Sequence, residues 1–382
     1  MSELKSPSYP ALFFAFLWPR LLLALVFTAM GYVGSGGDPQ IYQALGGYLR
    51  DLIVEPDNAS LALRMEHLGL MEVGFTYTRL VAVVQQFFDG NLESILGDSG
   101  LSIVLVHGAL YVLWDNPFFI VLIQCLVNAA AYAALIKHNG LHDARRALIW
   151  NPASLYFCAT HFKESFTETA ILLLLVQTRG KGWIAKVPVL LFLGFLRLEY
   201  LVLVGLVYLV FRMVRLRTMR WPALAVIVLA ILLVAPTAYA DWLIGADSAG
   251  MLYSLVYANE VTRRVLGPIV GALLPIPFVL LPLSDIWGVF YTVYGIAYYS
   301  VWLRIIKTGR RSGSFRGNAY LNAGLLVLLI IGYRFTGQSG TKDRYFAPFF
   351  PLLIIGLTLL RRTPDDPVAR TIAHAAVARP SE

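Results

Sequence analysis

About a dozen long apolar runs separated by short loops restrict this chain more than any motif in it. A helix needs roughly 20 apolar residues to cross a bilayer. By that guide, spans lie near 12–34, 71–88, 101–114, 118–136, 147–161, 165–178, 183–197, 198–212, 221–243, 286–304, 318–335 and 344–360. With 58% hydrophobic and 14% charged residues, the composition lies outside the range of soluble domains. The expected fold is all-α, a polytopic transmembrane helix bundle of about 11–13 spans, because only helices satisfy their backbone groups within such runs. Pro268, Pro275, Pro277 and Pro282 interrupt segment 266–283 and would each break a continuous helix. Its crossing stays open.

The positive-inside rule orients the layout. Basic loops occur at Lys137/Arg145/Arg146, Arg179/Lys181/Lys186, Arg212/Arg215/Arg217/Arg220, Arg304/Lys307/Arg310/Arg311/Arg316 and Arg361/Arg362. With 266–283 not crossing, all five fall on the cytoplasmic side, as do both termini. Loop 89–100 falls there too but carries no Lys or Arg. Residues 1–362 therefore read as one transmembrane domain and 363–382 as a disordered cytoplasmic tail. The first external loop, 34–70, is too long for a plain connector and has amphipathic stretches suited to lying flat on a membrane. The first apolar run reads as an uncleaved span rather than a signal peptide.

Several functions are excluded. Cys125 and Cys158 lie in apolar runs without CxxC or Cys/His spacing, so no disulfide framework or zinc site is indicated. The net charge of +8 is spread over loops rather than gathered on one soluble face, which speaks against nucleic acid. There is no Walker A motif and no GxGxxG.

Charge inside the apolar runs carries more information. The stretch "ATHFKESFTETA" (159–170) and the turn "FLRLEY" (195–200) interrupt short spans. Both hairpins would turn at one external level. Loop 34–70, beginning with Asp38, and the passage "YRFTGQSGTKDRYFAP" (333–348), with Arg334, Gln338, Lys342, Arg344 and Tyr345, face the same side. Ionisable groups at membrane depth cost about 2.5–3.5 kcal/mol each, so they tend to face a cavity. The plain alternative is that Lys163 pairs with Glu164, and Arg197 with Glu199, or that they snorkel. Five or more cations on the outer face oppose the topological rule, and an anionic ligand would account for them. Arg and Lys suit phosphate.

A sugar leaving a polyprenyl phosphate needs cations on the phosphate and a carboxylate to take the acceptor's proton. Asp38 is the preferred base, although an Asp after Gly-Gly and before Pro is equally a cap or turn residue. Glu72 and Glu164 compete with it. Arg79 shares a helix face with Glu72, two turns away, and would bind phosphate or pair with that carboxylate. His138, His142 and Asp143 have helical His-x-x-x-His spacing but lack the Glu of a zincin motif. The run "FYTVYGIAYYSVW" reads as packing and interface belt.

The order "GDPQIYQALG", "MEVGFTYTRL", "NPASLYFCATHFKES", "FLRLEY" and "DRYFAPFFPLL" resembles the C-type membrane glycosyltransferases, and within them the polymerases of exopolysaccharide and O-antigen repeat units, including EpsG-like proteins. At "KES" the EpsG-like pattern has an Arg-Gln pair, a departure that bears on Lys163. The resemblance implies metal-independent transfer, without a cofactor, from a lipid-linked sugar donor to a glycan acceptor. It also implies residence in a bacterial inner membrane, alongside other polysaccharide-assembly proteins. Asp38, Glu72 and Glu164 would be the catalytic candidates. Tyr42, Arg79, His161, Lys163, Arg197, Glu199, Arg334, Gln338, Lys342, Arg344 and Tyr345 would line the substrate. A transporter or flippase of lipid-linked glycans is the first alternative, and it would spread charge along a whole crossing. A membrane acyltransferase, with His107 or His161 at its centre, is the second.

Overall fold

The computed structural model describes residues 7–31, 38–67, 99–178, 182, 184–215, 286–309, 318–334 and 345–360. Among these, every regular element is helical and no strand occurs, so the fold is all-α. Two helices, Tyr9–Ala29 and Pro117–Asn139, are long and apolar enough to cross a membrane, and five shorter apolar helices accompany them. The expected spans 71–88 and 221–243, segment 266–283 and the tail 363–382 lie outside the described residues. The described chain forms two compact units, 1–142 with 154–202, and 143–153 with 203–382.

The first unit holds α1 (Tyr9–Ala29), α2 (Asp38–Val54), α3 (Leu61–His67), α4 (Ser99–Leu113) and α5 (Pro117–Asn139). It continues into α8 (Lys163–Leu175) and α9 (Lys186–Leu196). Local chemistry sets the ends of α5. Asn116 accepts a hydrogen bond from the Phe118 amide at 2.8 Å, Pro117 occupies the first turn, and Gly140 closes the helix at φ 65°. That left-handed conformation suits glycine. Twenty-three residues give α5 a length of about 35 Å. It packs against α1 on one side and α8 on another.

The expected span 147–161 is instead two helices, α6 (Arg145–Ile149) and α7 (Pro152–Cys158). Asn151 accepts from the Ala153 amide at 3.2 Å just ahead of Pro152, so the Asn-Pro pair ends one helix and caps the next. The unit boundary falls here.

Loop 34–70 does not hold surface-lying helices alone. Helix α2 runs alongside α4 in the same direction, burying Ile41, Tyr42, Leu45 and Leu49. Glycine permits the close crossing: a Cβ at Gly46 would stand 2.7 Å from the His107 Cβ, and one at Gly108 would meet the Leu49 side chain at 2.5 Å. One face of α2 is therefore buried against α4. At the far end, Arg64 on α3 bonds Asp51 on α2 at 2.8 Å and Asp115 in the α4–α5 turn at 3.0 Å. The hydrogen bond from Arg64 holds the Asp51 carboxyl below the usual range.

The second unit contains α6, α11 (Ile286–Gly309), α12 (Ala319–Arg334) and α13 (Phe350–Leu360), with the greater part of α10 (Leu198–Arg215). Helices α12 and α13 pair, with Asn318 capping α12 and donating to the Gly356 carbonyl at 2.7 Å. Tyr294 and Tyr298 of α11 pack on Phe350.

Candidate functional site

Helix α8 begins with the charges that interrupt the apolar sequence. Phe162 is extended at its N-cap, so Lys163, Glu164 and Ser165 form the first turn, and all three are buried. A carboxylate in a first turn is favoured by the unpaired amides there. Helix α9 ends at Leu196, and the next residue, Arg197, is extended and 2% exposed. The two tips meet: Arg197 Nη2 donates to Glu164 Oε1 at 2.7 Å, with both side chains 1% exposed. The guanidinium also lies over the Tyr200 ring, 5.2 Å from its centroid. Glu164 thus has an ion-pair partner in the next hairpin, beyond its sequence neighbour Lys163. Ion pairing across elements holds α8 and α9 in one arrangement, which neighbours in sequence would not do.

His161, just before this tip, is fully buried, and its Nε2 lies 2.9 Å from the Pro117 carbonyl oxygen. Its ring meets that of His107 on α4, centroids 5.5 Å apart. The ring of Tyr42 on α2 stands edge-on to His107 at 6.3 Å. Gln124 on α5 donates to the Phe162 carbonyl at 3.1 Å, fixing the tip against α5. Ile41 and Tyr42, near the start of α2, share an apolar cluster with Phe166 of α8 and Leu196 of α9. Asp38 opens α2 one turn before Tyr42, so its backbone stands at the same end of the unit as Glu164 and Arg197.

One turn further along α8 is a second buried polar layer that the sequence reading omitted. Glu168 accepts from Tyr132 at 2.8 Å, from Ser154 at 2.5 Å and from Asn128 at 3.0 Å. Arg20 of α1 donates to Asn128 at 2.8 Å and to its own helix at the Phe16 carbonyl, with its guanidinium 4.8 Å from the Tyr132 ring centroid. Arg20 was legible as the one charge in the first apolar run. Asn128, Tyr132 and Ser154 carry no local signal.

The other candidates divide. Tyr42, His161, Lys163, Glu164 and Arg197 come together within the first unit. The side chains of Asp38, Glu199 and Arg334 lie outside the described residues, as do Glu72, Arg79, Gln338, Lys342 and Arg344 altogether. Tyr345 belongs to the second unit, half-buried before the turn Ala347–Phe349. The His138 and His142 pair is corrected: α5 ends at Asn139 between them, so they do not share a helical face. Among the described residues no three His, Cys, Asp or Glu gather to hold a metal. The chain matches no protein-family model, and no curated protein or solved structure is significantly similar to it.

Proposed function

We propose that the chain is an integral-membrane glycosyltransferase or polymerase of the C-type superfamily, acting in cell-envelope polysaccharide synthesis at the external face of a bacterial inner membrane. Its donor is a sugar on polyprenyl phosphate or polyprenyl diphosphate. The observation that carries this reading is the burial of Lys163 and Arg197 at adjacent hairpin tips inside an apolar helical unit. Buried cations at such a level suit a lipid-borne phosphate whose chain lies between helices. The Glu164–Arg197 bond bears on mechanism. The Glu164 carboxylate is occupied by the Arg197 guanidinium, which leaves Asp38, at the head of α2, as the base for the acceptor hydroxyl. Lys163 and Arg197 then stabilise the departing phosphate.

The Arg20–Glu168 layer supports a second reading, a transporter or flippase, because it extends buried charge beyond one level of the bundle. Incubating the purified protein with polyprenyl-phosphate and polyprenyl-diphosphate sugars and a glycan acceptor separates the two. Sugar transfer in detergent supports the enzyme. Movement of the intact lipid-linked glycan across a vesicle, without transfer, supports the transporter.

A further inference from the structure

At one end of the first unit, exposed apolar side chains stand directly beside a cluster of ion pairs. Arg64 on α3 reaches Asp51 on α2 at 2.8 Å and Asp115 in the α4–α5 turn at 3.0 Å, and Arg50 on α2 lies 3.9 Å from Asp115. These contacts hold the ends of α2 and α4 and the short helix α3 at one level. At that level Ile53, Val54, Leu63, Val112, Leu113 and Trp114 are all exposed, Leu113 to 74% and Ile53 to 60%. Exposed apolar residues scattered singly are ordinary, whereas a group of them rimmed by charge marks an interaction surface.

Helix α5 tells what covers this surface. It begins at Pro117, just beyond Asp115, and is long and apolar enough to cross a bilayer. Charge frames it, since Asp115 precedes it, exposed Lys137 and His138 end it, and no charged residue lies between Asp115 and Lys137. A length of about 35 Å exceeds a hydrocarbon core of about 30 Å by little. The first turn of α5, and with it Trp114 and Asp115, therefore stands where hydrocarbon gives way to headgroups. Trp114 suits that level: its ring is half-exposed and rests against Phe119 of α5, centroids 5.5 Å apart. The ion cluster presents both signs of charge, as phospholipid headgroups do, with Arg50 and Arg64 for phosphate and Asp51, Glu55 and Asp115 for ammonium.

We propose that the ends of α2 and α4, together with α3, form a seat in the bilayer interface. Ile53, Leu63 and Leu113 lie in the outermost hydrocarbon, and the ion cluster lies among phospholipid headgroups. The seat rests on the integral-membrane part of the proposed function and needs no glycosyl transfer. Gln124, which holds the Phe162 carbonyl at 3.1 Å, is about two turns into α5, roughly 10 Å below the seat. A lipid-borne phosphate at the Lys163 tip would thus have left the headgroup layer and entered the unit.

Collision rates of spin labels test the seat. Full-length Leu113→Cys, Ile53→Cys, Leu63→Cys, Asp57→Cys and Leu22→Cys variants are labelled at the new thiol, the native cysteines being buried. They are reconstituted in vesicles of phosphatidylcholine and phosphatidylglycerol. Oxygen concentrates in hydrocarbon and a nickel chelate stays in water, so the ratio of their collision rates reads depth. Leu22, half-exposed within α1, is the hydrocarbon reference, and Asp57, on the exposed turn Pro56–Asn58, is the water reference. The oxygen-to-nickel ratio at Leu113, Ile53 and Leu63 should be several-fold above that at Asp57 and below that at Leu22. Ratios like that of Asp57, with Leu22 still in hydrocarbon, would overturn the seat and leave the membrane reading intact. A ratio equal to that of Leu22 would move the boundary outward and overturn it too. Slow collisions with both reagents would put another protein on this surface instead of lipid. A water-like ratio at Leu22 as well would remove the membrane reading and the seat with it.

Discussion

Arg197 and Glu164 are 33 residues apart in sequence and meet at 2.7 Å with both side chains sealed from solvent. Removing one partner strands a buried charge, at a cost of about 3–5 kcal/mol, whereas removing both does not. Arg197→Gln and Glu164→Gln should each lower thermal stability in detergent, and the double variant should be more stable than the sum of the two losses. Additive losses would mean that the two side chains do not act as a pair.

Glu168 is the acceptor for three side chains on α5 and α7, and through Asn128 it is coupled to Arg20. Glu168→Ala should cost about 3–5 kcal/mol, because Arg20 loses the carboxylate of its network. Glu168→Gln keeps an acceptor oxygen and should cost less. Thermal unfolding of the two variants checks the order, and Arg20→Leu in the Glu168→Ala background should recover part of the loss.

The α2–α4 crossing has a steric test. A methyl at Gly46 would stand 2.7 Å from the His107 Cβ, which is fixed to its backbone. Gly46→Ala should therefore destabilise by about 1–3 kcal/mol, despite the better helix propensity of Ala. A stabilised variant would mean that α2 does not lie this close to α4.

How much of this was readable depends on where each signal sits. The tips at Glu164 and Arg197 stood out because charges in apolar runs are conspicuous, and the alternation of short spans brings two such tips to one level. Their partner choice was not readable, since sequence neighbours and spatial neighbours make equally good pairs on paper. The break at Asn151–Pro152 had a local signal that the apolar run concealed. The α2–α4 packing had none, because two glycines separated by 62 positions, Gly46 and Gly108, become meaningful only when they face each other. Arg20 was visible, but its route to Glu168 runs through Asn128, a residue with nothing unusual around it.

Acid should loosen one end of the first unit. Arg64 lowers the folded-state pKa of Asp51, so the stability Asp51 contributes is present above its unfolded value near 3.9. That contribution is lost as pH falls through the lower folded value. The protection factors of the α3 amides, their exchange relative to the intrinsic rate at each pH, should therefore fall below about pH 4 in the wild type. Asp51→Asn should show lower protection than the wild type already at neutral pH and less further loss on acidification.

Sidedness can be read at exposed positions. Cys125 and Cys158 are buried and should stay silent to an impermeant thiol reagent. Asp57→Cys, on the exposed turn Pro56–Asn58, should be labelled from outside intact cells, and His138→Cys, at the end of α5, only after permeabilisation. The opposite pattern would invert the layout, and labelling of both from outside would remove α5 as a span.

In the proposed enzyme, the buried tip of α8 and its neighbour Arg197 hold a lipid-borne phosphate. Equilibrium binding of a polyprenyl phosphate to the purified protein tests it most directly, comparing the wild type with Lys163→Gln and with Lys163→Gln/Glu164→Gln. If Lys163 holds the phosphate, the single variant should bind more weakly by about 2–5 kcal/mol, and neutralising Glu164 should not restore the affinity. Wild-type affinity in the double variant, or no saturable binding by the wild type, would contradict a phosphate-holding role for Lys163 and return these residues to a structural ion cluster.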